Sequence, residues 1–174
     1  MPIYANRGMA LEEMITFTNE VYAVKNWADV EKKPTPVKIL KVSAGGRVDG
    51  VIQKSTIDFY GTFRGRSIRI EAKSTKDTKK FPLENTDEEQ INYLRKSLKH
   101  GALTFLIIEF SKLGEVYYVP AQLLIDVWDK SCVGGPKSIP YSAFHLECDL
   151  IKPTRGVPLD YLAIVEKHLN TKSA

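Results

Sequence analysis

Cysteine is scarce in this 174-residue chain: Cys132 and Cys148 stand alone, with no CxxC pair and no ligand-type neighbour. That spacing argues against a disulfide framework or a cysteine-built zinc site and for two reduced thiols. Long apolar runs are missing too. No window approaches the roughly 18 consecutive apolar residues of a membrane span, and the opening Met-Pro-Ile-Tyr-Ala-Asn-Arg-Gly-Met has no hydrophobic signal core. No membrane partner is expected, and the expected location is the cytoplasm. Repeats, low-complexity tracts and long Pro/Gly/Ser linkers are also absent, so residues 1–174 are expected to form one domain around one core. The histidines, His100, His145 and His168, are scattered and form no HxxxH pair, so none is assigned a catalytic role. Gly134-Gly135-Pro136-Lys137 lacks both the spacing and the strand-to-helix setting of a Walker lysine loop and is expected to be structural.

Charge is present in quantity. The formal net charge is +4, from 25 Lys and Arg against 21 Asp and Glu, a modest excess compatible with a polyanionic partner. Its position says more. Lys25, Lys32, Lys33, Lys38, Lys41, Arg47 and Lys54 gather in one stretch, and Arg64, Arg66 and Arg69 follow. Such a strip suits DNA phosphates, with Lys32, Lys33, Arg47, Lys54, Arg64 and Arg66 as candidate contacts; a solvated lysine face is the plainer alternative. Arg7, just before the first helix, is a further candidate to touch DNA or order the site, or equally a surface residue. Tyr60 and Phe63 are aromatic candidates for stacking on splayed bases, with core packing favoured for Phe63.

Periodicity predicts a helix over 9–24, where Leu11, Met14, Ile15, Thr18 and Tyr22 recur at helical spacing and Glu12 sits at the edge of the stripe. Val37–Val42 reads as a strand running into a turn at Gly45-Gly46, and 43–54 as a short protruding hairpin or loop. Ser55–Tyr60 and Ser67–Lys73 alternate with period two and predict an antiparallel hairpin. Thr86 and Glu89 suggest a capping box for a helix carrying Gln90, Ile91, Leu94 and Leu98. Strands over 103–110 and 115–119, a helix opening at Pro120, a Gly/Pro loop over 133–140 and a closing helix over 159–169 complete a mixed α/β sheet flanked by helices.

A two-residue turn at Arg64-Gly65 sets a register in which Phe59 faces Ile70, Tyr60 faces Arg69, Asp58 faces Glu71, Ile57 faces Ala72 and Thr56 faces Lys73. Carboxylates facing each other repel unless a proton or cation lies between them. Hard oxygen donors with room for water suit Mg²⁺ or Mn²⁺, with the Ala72 carbonyl as a further donor. Lys73 shares the face of Glu71 and is placed to position the nucleophile and neutralise charge on a phosphate. Taken alone, the spacing favours a plain surface ion pair of Lys73 with Asp58 and Glu71.

The wider set of motifs is more specific. Asn-Arg-Gly-Met-Ala-Leu-Glu-Glu at 6–13, Lys-Lys-Pro-Thr-Pro-Val at 32–37, Ser-Thr-Ile-Asp-Phe-Tyr-Gly at 55–61, Ile-Glu-Ala-Lys at 70–73, Phe-Pro-Leu at 81–83 and Gly-Gly-Pro-Lys-Ser-Ile-Pro at 134–140 together resemble the RecU family of Holliday-junction resolvases, within the PD-(D/E)xK nuclease superfamily. The resemblance runs almost end to end. It implies a restriction-endonuclease-like core and a metal surrounded by Thr56, Asp58, Glu71 and Gln90. Glu12 is then a helical acidic contributor and Lys73 the catalytic lysine. It also implies a homodimer that nicks a four-way junction symmetrically, a recombinase as a possible partner, and a nucleoid-associated location, or the host cytoplasm for a phage-encoded member. A stalk that enters the junction centre belongs to the family; between Lys41 and Ser55 this chain has a shorter stretch than that pattern. Two other functions stay open on the residues: a restriction-like or repair nuclease acting on other DNA, and a non-catalytic junction-binding accessory protein.

Overall fold

A computed structural model describes residues 5–172, with side chains over 10–171. The first helix, α1 (Ala5–Val24), buries Leu11, Ile15, Thr18 and Tyr22 on one stripe. Met14, expected on that stripe, is 43% exposed and lies off it. The side chain of Arg7 lies outside the described residues. Strand β1 (Asp29–Lys32) follows; it is short and was not foreseen.

Strands β2 (Val37–Val42) and β3 (Val48–Ile52) pair only with each other, around a turn over 43–47, and every residue in both is exposed. The protrusion therefore begins at Val37 rather than at 43, because β-branched residues on both arms make the ladder. Strands β4 (Phe59–Phe63) and β5 (Arg66–Thr75) form the expected hairpin. Arg64 and Gly65 both take positive φ, 48° and 73°, as a two-residue hairpin turn of matching twist requires. Strand β6 (Lys80–Pro82) leads into α2 (Glu88–Lys99), then β7 (Leu103–Phe110), β8 (Glu115–Pro120) and α3 (Ala121–Cys132). Strand β9 (Ser138–Pro140), α4 (Tyr141–Glu147), β10 (Asp149–Leu150) and α5 (Tyr161–Lys172) close the chain. The 133–140 segment is thus not all loop, since its last three residues pair with β6.

The main sheet has the order β1-β4-β5-β7-β8-β10. Only β5 and β7 run parallel, and α2 supplies the crossover that a parallel pair needs. Each face is packed. Ile68, Ile70, Phe105 and Ile107 meet Leu11, Ile15 and Tyr22 of α1 and Tyr161, Leu162 and Val165 of α5. Leu106, Ile108, Tyr117 and Val119 meet Ile91 and Leu94 of α2, Leu124 of α3 and Phe144 of α4. The period-two alternation of β5 then sends Arg69, Glu71 and Lys73 to the α2 face while Ile68 and Ile70 pack beneath α1. This is the mixed sheet flanked by helices that the sequence implied.

One glycine fixes the position of β1. A Cβ built on Gly61 would stand 2.0 Å from the Asp29 carbonyl oxygen and 2.6 Å from Val30 Cα, both backbone atoms that cannot swing away. Gly61→Ala should therefore push β1 off β4 and cost about 2–4 kcal/mol in urea denaturation, where a change below about 0.5 kcal/mol would contradict the close packing.

Candidate active site

The expected register holds from Phe59↔Ile70 to Phe63↔Arg66 and then stops. Asp58↔Glu71, Ile57↔Ala72 and Thr56↔Lys73 do not form as ladder pairs. The reason is local. Ser55 Oγ donates to the Ile57 carbonyl at 2.5 Å, and the Asp58 carbonyl accepts from the Lys33 N–H at 2.7 Å, so residues 55–57 turn away from β5 after a last backbone bond, from the Asp58 N–H to the Ile70 carbonyl at 3.2 Å. The carboxylate of Asp58 takes over where the backbone leaves off, accepting the Ala72 N–H at 2.8 Å. Because N–H and C=O of one strand residue point to the same side, the Ala72 carbonyl faces this same opened edge.

Glu71 lies deep in the sheet, 1% exposed. Its Oε1 accepts from Lys73 Nζ at 2.9 Å and from Gln90 Nε2. Lys73 Nζ also donates to Gln90 Oε1 at 3.1 Å, and the same oxygen accepts the Asp87 N–H at 3.2 Å. The capping box is therefore Asp87 with Gln90, one residue later than Thr86 with Glu89, and it locks Gln90 onto the site. Burial drives the Glu71 carboxyl up to about 8, against the pull of Lys73, and the charge of Asp58 adds to the rise. Asp58 is also raised, by burial first, with the Ala72 N–H opposing and Glu12 contributing repulsion.

The remaining sequence candidates divide. Glu12 reaches in from α1, on the opposite layer, and binds Lys32 Nζ at 2.8 Å. Thr56 does not face Lys73; its Oγ1 accepts from Lys33 Nζ at 3.0 Å. Lys54 pairs with Asp87 at 3.0 Å, at the start of α2. Three of the arginines lie elsewhere. Arg47 is near the tip of the β2–β3 hairpin beside Asp49, Arg64 is at the β4–β5 turn paired with Glu166, and Arg66 donates to the Gly101 carbonyl. Arg66 is five residue steps from Glu71 along β5, about 16 Å. Tyr93, one helical turn beyond Gln90, was not singled out in the sequence, although spacing alone places it on the same face.

Whether this set suits a cation is decided by its unfilled donors. Glu71 Oε2 is buried and has no hydrogen-bond partner, a costly state for a carboxylate oxygen. Among the described residues, no three His, Cys, Asp or Glu side chains gather around one point. The donors are two carboxylates and a strand carbonyl, which fits a hard divalent ion that keeps part of its water shell.

A family model for recombination protein U matches residues 6–167. Among curated proteins, the chain is 41% identical over 172 residues to the Holliday junction resolvase RecU of Geobacillus sp. strain WCH70, covering 95% of this chain and 86% of that protein. It is 39% identical over 173 residues to the protein of the same name from Oenococcus oeni, covering 96% and 88%. Among solved structures, it is similar to Hjc of Archaeoglobus fulgidus, a Holliday junction resolvase, at 13% identity and a TM-score of 0.48, covering 79% of this chain and 92% of that one.

The lifted acidity of Glu71 has a sign that can be measured. Between its ordinary value of 4.5 and about 8, folded protein holds a proton that unfolded protein has lost, so metal-free stability should fall as pH rises through that window. In EDTA the wild-type melting temperature should drop by several degrees across it, and Glu71→Gln should flatten the slope. Added Mg²⁺ or Mn²⁺ should raise the melting temperature of the wild type and leave that of Glu71→Gln unmoved. Equal stabilisation of both proteins by metal would remove Glu71 from the ligand set.

Proposed function

The chain belongs to the recombination protein U family, and from that premise we propose that it is a Holliday junction resolvase, a metal-dependent endonuclease that hydrolyses phosphodiesters in four-way DNA junctions. One observation carries the reading: Glu71, Lys73 and Gln90 converge by direct hydrogen bonds, and Asp58 is tied to the intervening residue of the same strand. A surface ion pair does not describe this arrangement, since the side chain of Glu71 is 2% exposed and that of Lys73 17%.

Asp58, Glu71 and the Ala72 carbonyl would hold Mg²⁺, and Mn²⁺ fits the same oxygen donors. When bound, such an ion would supply Lewis-acid polarisation of a phosphoryl oxygen and would lower the pKa of water. The protein's own groups do the rest. Lys73, fixed between Glu71 and Gln90, sets an ammonium charge beside the carboxylates, where negative charge grows on the phosphate during attack. Gln90 holds both partners in one geometry, so little reorganisation is needed when substrate arrives. Lys32, Lys33 and Lys54 lie around the opened edge and suit the phosphates of a junction arm.

One such centre cuts one strand, and the two-fold symmetry of a junction calls for a homodimer with two centres. The β2–β3 hairpin, exposed along its whole length and carrying Arg47 near its tip, suits the stalk that enters the junction centre. No helix among the described residues is long and apolar enough to cross a membrane, and the proposed location is the cytoplasm.

Asp58→Asn should bind a mobile four-way junction nearly as tightly as wild type while cutting it at least about a hundredfold more slowly. The assay compares junction with matched linear duplex, with and without Mg²⁺, and maps nicks at nucleotide resolution. Full cutting by a folded Asp58→Asn protein would refute the site, and equal cutting of duplex would point to a different nuclease.

A further inference from the structure

Beside the carboxylates, on the same face of the sheet, a cleft of about 300 Å³ is lined by Lys33, Pro34, Ile57, Tyr60, Arg69 and Tyr93. Three of these residues repeat the catalytic set one step along their own elements. Tyr60, on β4, is two residues beyond Asp58, which precedes that strand, Arg69 is two from Glu71 on β5, and Tyr93 is one turn from Gln90 on α2. Two strand residues span about 7 Å, so the cleft is the immediate neighbour of the site along the direction of the strands.

Its chemistry is specific. The lining combines two aromatic rings with two cations and contains no Asp or Glu. Tyr60 is 39% exposed, so its ring is open to an occupant of the cleft. Lys33 links cleft to site: its Nζ lies 5.6 Å from the centre of the Tyr93 ring and donates to Thr56 Oγ1, while its backbone N–H donates to the Asp58 carbonyl. An occupant flat and polarisable enough for the tyrosines, and anionic at one end for Lys33 and Arg69, is a nucleotide whose base has left the stack.

Resting on the resolvase reading above, we propose that the cleft is a nucleobase subsite. Tyr60 and Tyr93 take an unstacked base next to the scissile phosphate, and Lys33 and Arg69 hold the phosphate that follows it. A junction branch point supplies such bases at low cost, because pairing and stacking are already interrupted there, whereas intact duplex must first be opened. The tyrosines are then positioning residues that favour branched DNA over duplex without touching the reacting atoms.

The test uses the full chain, with Ca²⁺ in place of Mg²⁺ to prevent cutting, and four-way junctions carrying one abasic residue at successive positions of one strand. For wild type, one position should weaken binding about tenfold, since a stacked base contributes on that scale. Tyr60→Ala/Tyr93→Ala should bind the unmodified junction about tenfold more weakly and lose nothing further at that abasic position. Tyr60→Phe/Tyr93→Phe, which keeps both rings, should bind as wild type does. Losses that simply add, or an alanine variant that binds as wild type does while folding normally, would overturn the subsite. A wild type that binds duplex as tightly as junction, with the same coupling between base and tyrosines, would keep the subsite and refute the resolvase reading instead.

Discussion

A carboxylate sits where the sheet can least tolerate one. Glu71 lies midway along β5, paired in parallel with β7 on one side and covered by α2, with one oxygen bonded to Lys73 and Gln90 and the other bare. Removing a carboxylate from water without full compensation costs several kcal/mol, and the group answers by taking up a proton well above its usual range. A strand optimised for stability would place an apolar side chain at this position. That the fold keeps a glutamate there, with a lysine at hydrogen-bond distance, is intelligible if a cation completes it.

The opened edge of β5 serves the same end. Had the β4 ladder continued past Phe59, the Ala72 N–H and carbonyl would be bound to a neighbouring strand and unavailable to anything else. The turn of residues 55–57 breaks the ladder at that point, and the Asp58 carboxylate satisfies the Ala72 N–H that the break would have orphaned. The Ala72 carbonyl faces that same edge, beside two carboxylates. An edge in mid-sheet, ordinarily a liability, becomes a donor set.

Much of this was legible in the residues. The β4–β5 turn and five ladder pairs follow from period-two alternation and a glycine suited to positive φ, both local signals. Glu71, Lys73 and Gln90 were also readable, because strand alternation and the start of an amphipathic helix place them. What failed was non-local or hidden in side-chain competition. The ladder was expected to run on to Thr56 and Lys73, but residues 55–57 leave β5 after the Asp58 N–H bond to Ile70, and no periodicity records that. Strands β1, β6, β9 and β10 have two to four residues each, too short for a pattern, and exist only through partners far along the chain. The basic strip was contiguous in sequence but not in space: Lys32, Lys33 and Lys54 stay by the site while Arg64 and Arg66 sit at the far end of the hairpin.

Gln90 shows how closely folding and chemistry are joined. Its Oε1 accepts the Asp87 N–H, one of the donors that a helix start leaves unpaired, and the same oxygen accepts from Lys73. Its Nε2 donates to Glu71. The first turn of α2 therefore fixes the orientation of the lysine and the carboxylate on β5, across the layer between helix and sheet. A glutamate at this position could serve the cap, but it would set a third carboxylate against Glu71 and remove the donor that holds it. An amide supplies donor and acceptor at once without adding charge. An amide thus suits both the capping box and the proposed active site, and the start of one helix joins the two.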